Sequence, residues 1–365
     1  MRNRRFFSLG AALVPMMLTV LLFLLASASQ AQPPPIEPAS LIVTDPDRMI
    51  WDAIGINVGD DMYPDVAYNS QDDEYLVVFE WEDAGGGAGR DIASILVDAS
   101  GQAALSPYGI DASSTYTDTR PAVAYNPTNN TYLVVWERSN GVGDKNIAAV
   151  ALHSSGSVSG TASLVANWTG DQKLPDVAYS AVDGMYMVVW EDHYTTWTNG
   201  PDIFSAVLDD TATVVDWKSV TGLDAPDEQT QPAVAANTTS GGWLVAWRDS
   251  RNMGTTGYDV YGQRMSVSGS TLSTSGTQVA IGTLAGWAGA PDVSWGQPDS
   301  GEGAFLTVWA EDAVLYGQRV AADSTLPGGT ITVSDYESAK SVPAVAFDTL
   351  ERSWWVVWAD NRDYG

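Results

Sequence analysis

The 365-residue sequence predicts an all-β protein, a six-bladed β-propeller with four-stranded blades, from three observations. A pair of motifs occurs six times, the first centred on a proline and the second on two aromatic residues. The segments of each repeat are short, rich in β-branched and aromatic residues, and bounded by Asn, Asp, Gly and Pro, as strands are. The C-terminus stops after half a repeat, and the N-terminal region resembles the missing half. Units of about 50 residues that fold as four strands are typical of propeller blades.

The first motif appears as "YPDVAY" from Tyr63 and "RPAVAY" from Arg120, and its proline recurs every 52 to 59 residues. The six prolines are Pro64, Pro121, Pro175, Pro232, Pro291 and Pro343. The second motif, as in "TYLVVWE" (Thr131–Glu137), places two aromatic residues four positions apart. Because a residue type that every blade requires is best explained by packing between blades, we predict that these aromatic residues form the structural core. They are Tyr75, Phe79, Tyr132, Trp136, Tyr186, Trp190, Trp243, Trp247, Phe305, Trp309, Trp354 and Trp358.

The two ends of the chain predict how the ring closes. Residues 40–59 are expected to pair with residues 343–365, completing the sixth blade and leaving no open sheet between the first and last blades. The single propeller domain would then span residues 40–365. An open array, or a piece cut from a longer chain, is the alternative and would leave two half-blades unpaired.

The N-terminus predicts export. Residues 1–31 combine a positively charged start, an apolar run and small residues suited to cleavage, which is the pattern of a signal peptide. Residues 32–39 form a short Pro-rich spacer. An uncleaved anchor is the alternative, because the apolar stretch is nearly long enough to span a bilayer. In both cases we expect the rest of the chain to lie outside the cytoplasm, secreted or held at the cell surface, and to act as a monomer. If the signal peptide is cleaved, the mature chain has no membrane span.

Charge and cysteine content exclude several function classes. The formal net charge is −28, which opposes binding to nucleic acid or anionic membranes, since both need phosphate neutralisation by Lys and Arg. The chain has no cysteine, so neither disulfides nor thiol chemistry contribute. His153 and His193 are its two histidines, and neither lies in a nucleophile or zinc motif, so structural or surface roles are expected.

Two stretches resemble a known group of proteins. "AWRDSRNMGTTGYDVYGQR" (Ala246–Arg264) and "VVWADNRDYG" (Val356–Gly365) are similar to secreted bacterial β-propellers with VVWxDxR…DIY-type repeats, which are distantly similar to TolB-like and sialidase-like propellers. The resemblance covers nearly all of the mature chain and implies the fold. It leaves function open, because such folds host hydrolases, lyases, lectins and scaffolds. The Asp-box Ser-x-Asp-x-Gly-x-x-Trp is absent from the sequence, and no arginine triad can be assigned.

Acidic residues recur where the second and third strands of each repeat meet. Oxygen-rich, glycine-rich loops there suit calcium, the one cofactor that the pattern suggests. The candidate metal ligands are Asp83, Asp91, Asp192, Asp202, Asp249 and Asp259. Turn capping by these aspartates is the alternative, and recurrence in nearly every blade favours it, since a structural need recurs in every blade while an active site does not.

Aromatic residues that break the repeat are the candidate ligand-binding residues, because the blade itself does not require them. They are Tyr194, Trp197, Trp168, Trp217 and Trp287. Their partner would be a carbohydrate or another surface protein, and the alternative is that they cover blade edges.

The sequence therefore predicts a binding or scaffolding module as the main function. An extracellular carbohydrate-active hydrolase or lyase that uses carboxylates in the central channel is the alternative, and a calcium-dependent surface protein is a second one. An enzyme should place two or more acids that do not recur from blade to blade, with shifted pKa values, in one pocket at the mouth of the channel. A binding module should instead show an aromatic or acidic surface without a convergent catalytic pair.

Overall fold

The computed structural model describes most of the chain from residue 62 onward, in the ranges 62–82, 90–103, 107–111, 116–139, 143–194, 199–223, 225–298, 301–335 and 339–360. These residues form strands and turns and contain no helix. Nothing in the described ranges could cross a membrane as a helix. The predicted signal peptide, the spacer and the strands of residues 40–59 all lie outside the described residues.

The strands form six sheets that follow one another along the chain, and within each sheet consecutive strands pair antiparallel. The first sheet contains β1 (Met62–Asn69), β2 (Glu74–Glu82), β3 (Arg90–Asp98) and β4 (Tyr108–Asp111). The second contains β5 (Thr117–Asn126), β6 (Thr131–Ser139), β7 (Asn146–His153) and β8 (Val158–Ala166). The third contains β9 (Gly170–Ser180), β10 (Met185–Tyr194), β11 (Asp202–Leu208) and β12 (Val214–Ser219).

The remaining sheets depart slightly from this pattern. The fourth contains β13 (Gln229–Ala236), β14 (Trp243–Asp249), β15 (Gly257–Ser268) and β16 (Thr271–Gly282), and the two-residue strand β17 (Gly286–Trp287) pairs parallel with β15. The fifth contains β18 (Asp292–Gly296), β19 (Ala304–Glu311), β20 (Val314–Ala321) and β21 (Ile331–Ser334). The sixth has two described strands, β22 (Lys340–Asp348) and β23 (Ser353–Asp360).

The core lies between the sheets, because the second strand of each sheet is apolar on both faces. In β6 the run from Tyr132 to Trp136 is fully buried. Trp136 shares a core cluster with Val78 and Ile92 of the first sheet, so its indole packs between neighbouring sheets. The core aromatic residues of the first five sheets are buried, while Trp354 and Trp358 of the sixth are half-buried.

The first strands of consecutive sheets contact one another, and we call them the inner strands: β1, β5, β9, β13, β18 and β22. Five of them bulge at the residue before the motif proline, which adopts a left-handed backbone conformation with φ between 49° and 55°. The five residues are Tyr63, Arg120, Leu174, Gln231 and Val342. A non-glycine residue at positive φ is strained, most of all a β-branched one such as Val342.

Candidate functional site

Three aspartates occupy equivalent positions on alternate inner strands, and we call them the axial carboxylates: Asp65, Asp176 and Asp292. Each follows the motif proline of its strand, in the first, third and fifth sheets. The negative charge of Asp65 raises the pKa of both Asp176 and Asp292, so the three groups lie within electrostatic reach of one another. Protein surrounds each carboxylate, although each residue keeps some accessible surface.

Each axial carboxylate binds two backbone N–H groups. Oδ1 of Asp176 accepts a hydrogen bond from the N–H of Val177 (2.8 Å), and Oδ2 accepts one from the N–H of Val234 in the next sheet (2.7 Å). Asp65 makes the same pair of bonds to Val66 and Val123, both at 2.8 Å. Asp292 accepts from its own neighbour Val293 and, at 2.6 Å, from Val345 of the sixth sheet. One aspartate therefore serves the inner strands of two adjacent sheets.

Burial shifts the protonation of these groups strongly. Loss of hydration raises the pKa of Asp65 to about 6, partly offset by its two backbone hydrogen bonds. Burial likewise raises the pKa of Asp292 to about 7 and that of Asp176 to about 8, and the charge of a neighbouring axial carboxylate adds to both shifts. At neutral pH Asp176 therefore keeps its proton while Asp65 is mostly ionised.

Our sequence reasoning missed the axial carboxylates, although a signal for them exists. The residue after the motif proline alternates strictly between Asp and Ala along the chain, in the order Asp65, Ala122, Asp176, Ala233, Asp292 and Ala344. A substitution that repeats in every second unit indicates a group shared between two units.

A cavity of about 280 Å³ lies against the inner strand of the fourth sheet, and we call it the Ala236 cavity. Its lining includes Val234 and Ala236, flanked by Tyr179 of the third sheet and Val293 and Trp295 of the fifth. Two of these residues are hydrogen-bonded to axial carboxylates: Val234 to Asp176, and Val293 to Asp292. The cavity and the two carboxylates with the highest pKa values of the three therefore adjoin.

The acids at W-x-D spacing bind the indole that precedes them. Trp190 Nε1 donates to Asp192 (3.2 Å) and Trp247 Nε1 donates to Asp249 (2.8 Å). In the fifth sheet Glu311 takes this role, accepting from Trp309 Nε1 at 3.1 Å. In these three sheets the acid is therefore a buried hydrogen-bond acceptor for the indole N–H, which is a structural role.

The other candidate metal ligands of the third and fourth sheets are also engaged. Asp202, directly opposite Asp192 in the register, accepts from the N–H of Ala225 and the hydroxyl of Thr221. Asp259, opposite Asp249, accepts from Asn252 Nδ2 and Thr256 Oγ1. Asp249 also pairs with Arg251 at 2.6 Å.

The first sheet keeps the register that the aromatic motif predicts, with Phe79 at the position of Trp190. Asp91 lies opposite Trp81, which occupies the place that Asp192 takes in the third sheet. Asp83 lies outside the described residues. Across the parts of the chain that the structure describes, no group of three or more Asp, Glu, His or Cys side chains is placed to hold a metal ion.

Glutamates beside the core aromatic residues join the first four sheets. Oε1 of Glu191 accepts from the N–H of Gln231 (2.7 Å), and Oε2 lies 3.0 Å from Nε2 of His193. Glu80 and Glu137 bind Arg120 N and Leu174 N in the same way. Each glutamate thereby bonds the strained residue that precedes the next motif proline. His193 contacts this connection and no catalytic motif.

The predicted ligand-binding aromatic residues take different positions. Trp168 packs on Trp190, Phe204 and Trp217 and adjoins a core cluster, so it covers a blade edge. Trp217 is 52% exposed on the outermost strand of the third sheet. Trp287, 63% exposed, contacts Tyr258 edge-on. Tyr194 is 37% exposed at the end of β10, and Trp197 lies outside the described residues.

Comparison with solved structures places the fold among sialidase and arabinofuranosidase propellers. The chain matches the NanB sialidase of Streptococcus pneumoniae at 8% identity and a TM-score of 0.54, covering 82% of this chain and 65% of the sialidase, so it spans less than two thirds of that protein. It matches the GH93 α-L-arabinofuranosidase of Fusarium graminearum at 12% identity and a TM-score of 0.57, over 80% and 86% of the two chains. A protein of unknown function from Dyadobacter fermentans matches at 13% identity and a TM-score of 0.54, over 82% and 90%.

The structural similarity shows a shared propeller-like, all-β fold, in agreement with the distant sialidase-like resemblance of the sequence. No protein-family model matches the sequence, and no curated protein matches it either.

The prediction of a binding or scaffolding module is wrong. The neighbours of known activity are a sialidase and an arabinofuranosidase, which supports the alternative of a carbohydrate-active hydrolase. The repeat motifs suggested a plain scaffold, but their residues are conserved between units because they pack between sheets. They therefore carry no information about activity. The informative residues are instead the alternating aspartates. They occur only in every second unit, so a motif common to all six units does not contain them.

Proposed function

We propose that this protein is a carbohydrate-active hydrolase whose reaction uses Asp176 and Asp292 at the Ala236 cavity. The observation that carries the proposal is that two electrostatically coupled carboxylates with raised pKa values bind the backbone of cavity-lining residues. Glycoside hydrolysis needs such a pair, one carboxyl group as general acid and one carboxylate as base or nucleophile. The two carboxyl groups do not line the cavity themselves and are connected to it through the backbone N–H groups of Val234 and Val293.

The two roles follow from the pKa values. A general acid must carry its proton near neutral pH, and Asp176, with a pKa of about 8, does so. Asp292, whose pKa burial also raises, to about 7, is assigned the role of the carboxylate. Asp65 contributes through its charge, which raises the pKa of both partners. Environments that separate the pKa values of neighbouring carboxyl groups are how acid and base roles are assigned.

The same proposal includes the closed ring and export. The sixth sheet has two described strands, and pairing residues 40–59 with it would complete a sixth blade and cover the open edge. Residues 1–31 would direct the chain out of the cytoplasm, where a hydrolase meets extracellular glycans. Carbohydrate is therefore the proposed partner, and the acidic surface serves solubility.

The test is glycosidase activity of the purified full chain on nitrophenyl glycosides and on oligosaccharides. We expect hydrolysis, with Asp176→Asn and Asp292→Asn each lowering kcat by about 100-fold or more, as removal of an acid or base does. Asp335→Asn is the matched control, because Asp335 is exposed and far along the chain from the inner-strand motifs. Full activity in both axial variants, or no hydrolysis of any glycoside by the natural chain, would refute the proposal.

A further inference from the structure

One inner strand breaks an aromatic pattern that the other five keep. In those five, an aromatic side chain near the end of the inner strand packs on the first core aromatic residue of the next strand, with ring centroids 4.7 to 5.2 Å apart. The five pairs are Tyr68–Tyr75, Tyr125–Tyr132, Tyr179–Tyr186, Trp295–Phe305 and Phe347–Trp354. In the fourth sheet the register partner of Trp243 is Ala236.

The missing ring coincides with the cavity. Ala236 lines it, and the aromatic residues at the equivalent positions of the two neighbouring sheets, Tyr179 and Trp295, form its sides. The polar ends of both rings are held, since the Tyr179 hydroxyl lies 3.4 Å from Thr128 Oγ1 and Trp295 Nε1 lies 3.4 Å from Thr239 Oγ1. Each aromatic wall therefore has a polar contact that favours its present orientation.

The lining defines the chemistry of an occupant. Aromatic faces bind the C–H face of a sugar ring, and Thr238 and Ser294 supply hydroxyl groups for hydrogen bonds with sugar hydroxyls. No Lys, Arg or His lines the cavity, the axial carboxylates adjoin it, and the whole chain carries a formal charge of −28. The residues that line the cavity therefore offer an anionic sugar no ion pair, and the net negative charge of the chain repels it, so the cavity favours a neutral sugar. Its volume of about 280 Å³ is just below the range of about 300–1,000 Å³ of drug-sized sites, which suits a single ring.

We propose that the gap left by Ala236 is a subsite for one neutral sugar ring, held between Tyr179 and Trp295, and that the residue at position 236 determines whether it forms. The part that concerns substrate, a neutral rather than a sialic-acid-type glycoside, rests on the proposed hydrolase function. The part that concerns binding stands on the cavity itself.

The test restores the aromatic pattern. Ala236→Tyr places in the fourth sheet the residue that the second and third sheets carry at this position, so the ring fills the cavity. We expect calorimetry on the full chain to detect binding of at least one neutral disaccharide among arabinobiose, cellobiose, lactose and maltose, and no binding of sialyllactose or digalacturonate. Ala236→Tyr should weaken that binding at least tenfold, and Ala236→Val, a smaller filler, should weaken it less.

Ala322→Tyr, an exposed turn position between β20 and β21, controls for the added ring and should bind as the natural chain does. A thermal melt separates a filled cavity from a misfolded variant, since Ala236→Tyr is expected to keep or raise Tm. Tyr179→Ala, which removes one wall, should also weaken binding and provides a second measurement if Ala236→Tyr fails to fold.

The outcomes separate this inference from the proposed hydrolase. Unchanged binding or hydrolysis in Ala236→Tyr overturns the subsite and the location of the reaction at the Ala236 cavity. Hydrolysis that Asp176→Asn and Asp292→Asn still abolish would leave the catalytic role of the two carboxyl groups standing. Binding that Ala236→Tyr abolishes, without hydrolysis by the natural chain, supports the subsite and refutes the hydrolase. Binding of the anionic sugars alone, or of none of the four neutral ones, overturns the subsite.

Discussion

The carboxylate of Asp176 in the third sheet accepts the backbone N–H of Val234 in the fourth at 2.7 Å. The same bond joins the first sheet to the second and the fifth to the sixth. These N–H groups belong to inner-strand edges that have no further strand to pair with. Since an unpaired backbone N–H inside a protein is costly, each axial carboxylate satisfies one such group in each of two sheets.

Removing an axial carboxylate should weaken the joint between two sheets. Asp65→Ala takes the acceptor from Val66 and Val123, and we expect the free energy of unfolding to fall by about 2 kcal/mol, at about 1 kcal/mol per lost hydrogen bond. Urea unfolding measures it. Asp335→Ala, the exposed control, should change stability by less than about 0.5 kcal/mol. Equal midpoints for the two variants would contradict this role.

Stability should depend on pH in a direction opposite to that of ordinary paired carboxylates. Folding raises the pKa of the axial carboxylates from 3.8 to about 6, 7 and 8, so the folded state binds more protons than the unfolded state between these values. The free energy of unfolding must then fall as pH rises from about 4 to about 8. Folding lowers the pKa values of Asp171 and Asp98 from 3.8, so their contribution to the free energy of unfolding is lost only when the pH falls below about 3.8.

Thermal melts between pH 4 and 9 measure this dependence. Asp176→Asn should flatten the upper part of the profile, since it removes the group that titrates at the highest pH. A Tm that rises steadily from pH 5 to pH 8 would show that the axial carboxylates are ionised at no cost in the folded protein.

The W-x-D pair should be measurable as a buried hydrogen bond. Trp190→Phe keeps an aromatic ring but removes the N–H that binds Asp192, and bonds to charged groups contribute about 1.5–3 kcal/mol. We therefore expect a loss of about 2 kcal/mol. The pKa of Asp192, raised by burial to about 6 and lowered in part by the indole, should rise further, which NMR titration can follow. Trp355→Phe on an exposed face of β23 is the control, with a change within about 0.5 kcal/mol.

Glycine should relieve the strain at the inner-strand bulges. Val342 has φ +49° and is 64% exposed, so Val342→Gly loses little packing and should stabilise the protein by about 0.5 kcal/mol or more. Ala290 holds the equivalent place in the fifth sheet without a positive φ, and Ala290→Gly should instead destabilise by about 0.5–1 kcal/mol. Chemical denaturation of both variants checks the prediction. The same sign for both would show that the backbone conformation does not decide the effect.

Most of the architecture could be predicted from the sequence because it repeats. The Trp136 position is occupied by an aromatic residue in every unit, which is a packing requirement that needs no coordinates to recognise. In the first sheet Phe79 takes the Trp136 position, as the alignment of the repeats predicts, so Trp81 lies two residues further along the strand, opposite Asp91.

The candidate site was not predictable in the same way. Asp176 and Asp292 are more than 100 residues apart in the sequence, and only the arrangement of the inner strands brings them into electrostatic contact. Their raised pKa values come from burial, which no motif reports. The Ala236 cavity was visible in the sequence only as an alanine in place of an aromatic residue, and its meaning required knowing that Tyr179 and Trp295 stand on either side.

The alternation of Asp and Ala along the inner strands has a numerical consequence. Each aspartate accepts one backbone N–H from its own inner strand and one from the next, so the inner strands are joined in pairs. A closed ring in which every inner strand belongs to such a pair must therefore contain an even number of inner strands. A version of this chain with one unit deleted or duplicated would bring two alanines or two aspartates side by side, leaving an unbonded N–H or two adjacent charges. Changes in ring size are therefore expected to come as pairs of blades, about 110 residues at a time, on the spacing of the motif prolines.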